Sequence, residues 1–219
     1  MKERIGVIAG TPVDTQMGVD FLESKGLDAI GYQTANSPQA QHELQLFHKD
    51  KLHNIVVQII REAKGKGINS FFVYCNSLSA AVDMDKVSEE TDVFIVTPFT
   101  AYKELARDYS KVLILAANAQ SCAKIESILL DANKGIQMWS ISALPLVEEI
   151  ENKNPEKGIF DRLALAKLLD WAEDIDFDGI ILGCTHFPYI MDESSANTTI
   201  EIIDPAEKML ERLTENQSK

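Results

Sequence analysis

Short, continuously apolar runs alternate along the chain with longer stretches whose apolar residues recur every three or four positions. Ile5-Gly6-Val7-Ile8, Ser70-Phe71-Phe72-Val73-Tyr74, Val93-Phe94-Ile95-Val96, Val112-Leu113-Ile114-Leu115, Gly179-Ile180-Ile181-Leu182 and Ile200-Glu201-Ile202-Ile203 read as strands. A run that is apolar at successive positions buries both faces of a strand, the habit of parallel sheets covered by helices. Between these runs, 48–66 places Leu52, Ile55, Val56, Ile59, Ile60 and Ala63 on one helical face. The stretch 161–174 does the same with Leu163, Ala164, Ala166, the stem of Lys167, Leu168 and Trp171. Asp204-Pro205 supplies an N-cap and a first-turn proline for a last helix from Ala206 to about Glu215, after which 216–219 is expected to fray. This alternation predicts an α/β protein with mostly parallel sheets.

The Thr97-Pro98 step precedes a fresh helix and strand series, so a second α/β unit is expected to begin there. The expected division is 1–97 plus 205–219 for the first domain and 98–204 for the second, the last helix packing back on the first. Composition supports full folding: 45% of the 219 residues are hydrophobic and 25% charged. The net charge of -13, with no basic cluster, makes nucleic acid and anionic membrane poor partners. The first apolar run is too short for a signal-peptide core and no stretch approaches the length of a membrane span, so a cytoplasmic location is expected. Cys75, Cys122 and Cys184 form no CxxC pair and no His/Cys ligand spacing, which predicts neither a bound metal nor a disulfide framework.

Two of the three cysteines fall at strand ends. Phe71-Phe72-Val73-Tyr74-Cys75-Asn76-Ser77 and Gly179-Ile180-Ile181-Leu182-Gly183-Cys184-Thr185-His186 each run from a buried strand into Cys and then into small or polar hydrogen-bonding residues. Ligands of open α/β sheets collect beyond the carboxyl ends of the strands, where helix N-termini offer free N–H groups and favour a thiolate. Asn76, Ser77, Thr185 and His186 are donors suited to a carboxylate. Two thiols facing one amino acid could remove an α-proton from one side and return a proton from the other, inverting the α-carbon. Cys122, within the helical stretch 120–132, reads as a packing residue.

Together these motifs resemble the aspartate/glutamate racemase superfamily, whose first cysteine motif reads Cys-Asn-Thr or similar and whose second reads Gly-Cys-Thr-His-Tyr-Pro. Here they stand as Cys75-Asn76-Ser77 and Gly183-Cys184-Thr185-His186-Phe187-Pro188. The resemblance implies two pseudo-symmetric α/β domains, each with a mostly parallel sheet flanked by helices, and an active site in the cleft between them. It implies no cofactor, no metal, a small-molecule amino-acid substrate and a homodimer. Cys75 and Cys184 inherit the catalytic roles, Asn76, Ser77 and Thr185 the binding of the substrate carboxylate, and His186 assistance to the second cysteine.

The departures point to a branch. Glutamate racemases carry Asp-Ser-Gly after the first strand, whereas this chain reads Ala9-Gly10-Thr11-Pro12, nearer to the Gly-Gly-Met of aspartate racemases. Thr11 could offer a hydroxyl to the substrate there, or Thr11, Asp14 and Thr15 could be turn and cap residues. Pro38-Gln39-Ala40 stands where glutamate racemases have Pro-Tyr-Gly. The expected activity is racemisation of an acidic amino acid, aspartate before glutamate. The alternatives are diacid isomerisation or malonate decarboxylation, or amino-acid binding without turnover.

Overall fold

The computed structural model describes residues 4–217. The chain divides into two compact units, Met1–Thr100 with Ala206–Lys219, and Ala101–Pro205. The first boundary falls inside the helix that Pro98 opens rather than at its start.

The first unit runs β1 (Ile5–Ala9), α1 (Pro12–Ser24), β2 (Ala29–Gln33), α2 (Pro38–Phe47), α3 (Lys49–Lys64), β3 (Ser70–Val73), α4 (Asn76–Ala81), α5 (Met84–Thr91) and β4 (Phe94–Val96), and α6 (Pro98–Leu105) leads out of it. Its sheet has the order β2-β1-β3-β4, every pair parallel. The two central strands are buried at every position, as their unbroken apolar sequences require. On one face Leu52, Val56, Ile60 and Ala63 of α3 and Val87 of α5 pack with Ile8, Phe71 and Val73. Each such aliphatic side chain contributes roughly 1.5–3 kcal/mol by leaving water. Elsewhere in the unit, Phe21 of α1 stacks on Phe72 and Tyr74, with ring centroids 5.9 and 6.2 Å apart.

The second unit runs β5 (Lys111–Ala116), α7 (Ala119–Ala132), β6 (Gln137–Ser142), α8 (Leu144–Glu151), α9 (Glu156–Leu163), α10 (Leu165–Ile175), β7 (Gly179–Gly183), a short 3-10 helix (Phe187–Ile190), α11 (Met191–Ala196) and β8 (Glu201–Ile203), and α12 (Pro205–Gln217) carries the chain back into the first unit. Its sheet order is β6-β5-β7-β8, again parallel throughout. Both units therefore share one topology. In each, the chain order reverses between the two central strands, which places a crevice beyond their carboxyl ends.

Three sequence expectations need correction. The strands β2 and β6 were not anticipated, because both are half-exposed edges without a continuous apolar run. The single helix expected over 161–174 is two helices, broken at Ala164, which adopts a left-handed conformation with φ 52°. The break rephases the buried face to Leu165, Leu169 and Ala172. The last helix takes in Asn216 and Gln217, two of the four residues expected to fray, and Ser218 and Lys219 lie outside the described residues. Among the described residues no helix is long and apolar enough to cross a membrane, and no cluster of His, Cys, Asp or Glu is placed to hold a metal ion.

Candidate functional site

Cys75 follows β3 and Cys184 follows β7, strands that occupy the same place in their two sheets. Each cysteine thus lies at the switch point of its own unit, where ligands of open α/β sheets gather. Both are buried, at 3% and 7% exposure.

In the first unit Cys75 is the N-cap of α4, its sulfur accepting the Leu78 backbone N–H at 3.5 Å. Ser77 Oγ lies 3.4 Å from that sulfur, and Asn76 is buried beside it in the chain. Two side chains that the sequence did not single out reach the same place from α2. Gln41 Nε2 is 3.2 Å from Cys75 Sγ and 3.2 Å from Ser77 Oγ, and Gln45 Nε2 donates to Ser77 Oγ at 2.9 Å.

The neighbouring turn after β1 is held by Thr11, the N-cap of α1, in a capping box with Asp14. The Asp14 carboxylate accepts from the N–H of Gly10 at 3.2 Å and from the N–H and hydroxyl of Thr11 at 2.6 and 2.8 Å. Thr15 donates its hydroxyl to the Thr11 carbonyl at 2.6 Å. These bonds tie down donors that a helix start otherwise leaves open.

In the second unit Cys184, Thr185 and His186 form the turn between β7 and the 3-10 helix. Gly183 permits it, because a Cβ there would sit 2.7 Å from Ile125 Cδ1 and 2.9 Å from the Leu115 carbonyl. His186 Nδ1 is 3.6 Å from Cys184 Sγ, and its Nε2 is 3.0 Å from Glu151 Oε1 at the end of α8. Glu151 is a further residue that the sequence reading missed. An ionised carboxylate can only accept, so it fixes the ring proton on Nε2 and leaves Nδ1 as the acceptor facing the thiol. The resulting line of Glu151, His186 and Cys184 can take a proton from the sulfur and return it.

Cys122 lies elsewhere, on α7, at 6% exposure. Burial foremost, and the Glu126 charge after it, push its thiol up from the ordinary value.

The sequence model of the Asp/Glu/hydantoin racemase family matches residues 3–213. Among curated relatives, a protein named glutamate racemase 3 from Caldanaerobacter subterraneus is 23% identical over 74% of this chain and 60% of its own length. A glutamate racemase from Trichodesmium erythraeum is 26% identical over 72% of this chain and 59% of its own. The chain thus spans about three fifths of the length of these relatives. Among solved structures, an aspartate racemase homologue from Pyrococcus horikoshii has the same fold, with a TM-score of 0.74 at 19% identity over 100% of both chains. A glutamate racemase from Francisella tularensis, solved with D-glutamate, gives 0.73 at 22% identity over 99% of this chain and 82% of that one. With the family model matching almost the whole sequence, the chain belongs to the Asp/Glu/hydantoin racemase family.

Proposed function

We propose that this chain racemises an acidic amino acid, aspartate in preference to glutamate, without a cofactor, by proton transfer between Cys75 and Cys184. The observation that carries this reading is the equivalence of the two cysteines, each next to a central strand of the same rank in its own sheet and each with a polar side chain within hydrogen-bond reach of its sulfur. Inversion needs such a pair, since one group must take the α-proton from one face and the other must supply a proton to the opposite face. In the reverse direction the two exchange states.

An α-proton is weakly acidic, so the charge that develops as it leaves has to be met by fixed donors. Removing one such donor costs roughly 3–4 kcal/mol of transition-state stabilisation in well-studied cases. Asn76, Ser77 and Thr185 are the side chains assigned to the substrate carboxylate and His186 to the assistance of Cys184, with the hydroxyl of Thr11 assigned to the amino group. The preference for aspartate is supported by the turn Ala9-Gly10-Thr11-Pro12, which departs from the Asp-Ser-Gly of glutamate racemases. A homodimer belongs to the same reading, and sedimentation velocity tests it.

The deciding experiment offers both enantiomers of aspartate, glutamate and a panel of other amino acids in deuterated water. Deuterium entering the α-position with loss of optical activity is the expected result. Inertness toward the whole panel, with turnover of maleate or a malonate, would overturn it in favour of an isomerase or a decarboxylase. Calorimetric binding of an amino acid without any exchange would overturn it in favour of a binding protein. Cys75→Ala and Cys184→Ala should each reduce racemisation by at least about 10²-fold, the lower bound for a lost acid-base group.

A further inference from the structure

Helix α2 turns two polar side chains inward. It buries Gln41 and Gln45, at 9% and 2% exposure, and leaves Leu46 and Phe47 at 42% and 74%. Packing alone does not select that arrangement, because an amide taken out of water must find partners while an exposed phenylalanine gains nothing. Both amides find partners at the turn that carries Cys75.

Gln45 Nε2 donates to Ser77 Oγ at 2.9 Å and Gln41 Nε2 to the same oxygen at 3.2 Å. A hydroxyl oxygen has two acceptor sites, and the two amides fill them. Until a substrate carboxylate claims it, the single Ser77 proton is therefore left to donate to Cys75 Sγ, which stands 3.4 Å away. Gln41 also points an N–H at that sulfur, at 3.2 Å. A neutral thiol is a weak acceptor and a thiolate a strong one, so donors converging on sulfur favour the charged form.

Residue 10 makes this geometry possible. A Cβ at Gly10 would overlap the Gln41 amide itself, so the close approach of the amide requires glycine there.

We propose that Gln41, braced by Gln45 through Ser77 and given room by Gly10, is a positioning residue that favours the thiolate form of Cys75 against the burial that opposes it. The inference rests on the reading of Cys75 as a proton-transfer group and supplies the device that readies it. It does not need Gln41 to touch the substrate.

The test is a pH titration of thiolate absorbance, in which each protein is compared with the same protein carrying Cys75→Ser so that the difference belongs to Cys75. Gln41→Leu keeps the volume and removes the amide, and its Cys75 midpoint should rise by about one pH unit, a tenfold change in ionisation. Gly10→Ala should raise it with the glutamine still present, and Gln41→Glu should raise it furthest by setting a negative charge beside the sulfur. Gln45→Leu should act in the same direction and more weakly. A Cys184 titration, isolated in the same way with Cys184→Ser, should stay where it was. Unmoved Cys75 midpoints in Gln41→Leu and Gly10→Ala would overturn the proposal, as would an equal shift at Cys184, which signals general loosening. No substrate enters the measurement. A protein that never racemises yet shows these shifts refutes the proposed reaction alone, and an active racemase without them refutes this inference alone.

Discussion

Glu151 Oε1 stands 3.0 Å from Nε2 of His186, whose other ring nitrogen faces the Cys184 sulfur at 3.6 Å. The carboxylate is only 16% exposed and the imidazole 5%, so water weakens their interaction little. Glu151→Gln keeps the shape and lets the amide donate to Nε2, which moves the ring proton to Nδ1 and turns the acceptor away from the thiol. We expect kcat/KM to fall by about 10²- to 10⁴-fold. The loss should be equal for the two enantiomers, since their equilibrium constant is unchanged. His186→Asn should lose about as much, and the double variant no more than the worse single one, because the residues act as one unit. Polarimetry from each enantiomer checks this, and additive losses would count against a relay.

Cys122 should behave as a spectator. Its thiol is pushed up by burial first and by Glu126 second, so at neutral pH it stays protonated and is a poor nucleophile. Iodoacetamide labelling followed by peptide mass mapping should find Cys122 the slowest of the three cysteines near neutrality, with its labelling rising only at alkaline pH. Glu126→Gln should move that rise to lower pH, because it removes the second of the two causes. Cys122→Ala should leave turnover within about twofold, since the residue belongs to α7 and to neither strand-end turn.

Cys75 and Cys184 were legible because their signal is local: an apolar strand, a cysteine and polar residues follow one another within a few positions. Glu151, Gln41 and Gln45 were not, because each lies thirty or more positions from the cysteine it serves. A polar residue on a helix reads as solvated until the fold shows what covers it. The fold followed the same logic. Central strands buried on both faces announce themselves, whereas the edges β2 and β6 are half solvated and read as loop. Alanine is the strongest helix former, so nothing at position 164 hinted at a break.

The turn after β1 should be a stability element independent of any part it has in binding. Asp14 is 1% exposed and its carboxylate accepts from two backbone N–H groups and the Thr11 hydroxyl. Asp14→Ala strands those donors in a dry environment and should cost about 1–3 kcal/mol. Thr11→Ser retains the cap and should cost well under about 1 kcal/mol, whereas Thr11→Ala should cost about 1 kcal/mol. Urea unfolding followed by circular dichroism gives these differences. If Thr11→Ser matches wild-type stability while Thr11→Ala loses activity well beyond its loss of stability, the hydroxyl has work in the site as well as in the cap.

Ala164 ends α9 and precedes α10 in a left-handed conformation, φ 52° and ψ 39°, with its N–H donated to the Phe160 carbonyl. That region crowds a Cβ against the following carbonyl oxygen and costs an L-residue roughly 1–2 kcal/mol. Glycine escapes the clash but enters folding with more conformational freedom to lose, a penalty of about 0.4–1 kcal/mol. The side chain is exposed, so no packing is forfeited. The balance favours Ala164→Gly by about 0.5–1 kcal/mol, which for a chain of this size raises Tm by about 1–4 °C. Ala164→Val adds β-branching to the same strain and should lower Tm by more than Ala164→Gly raises it. Calorimetry of the pair decides the matter, since a helix running unbroken through residue 164 would give the opposite order, with glycine the more damaging substitution.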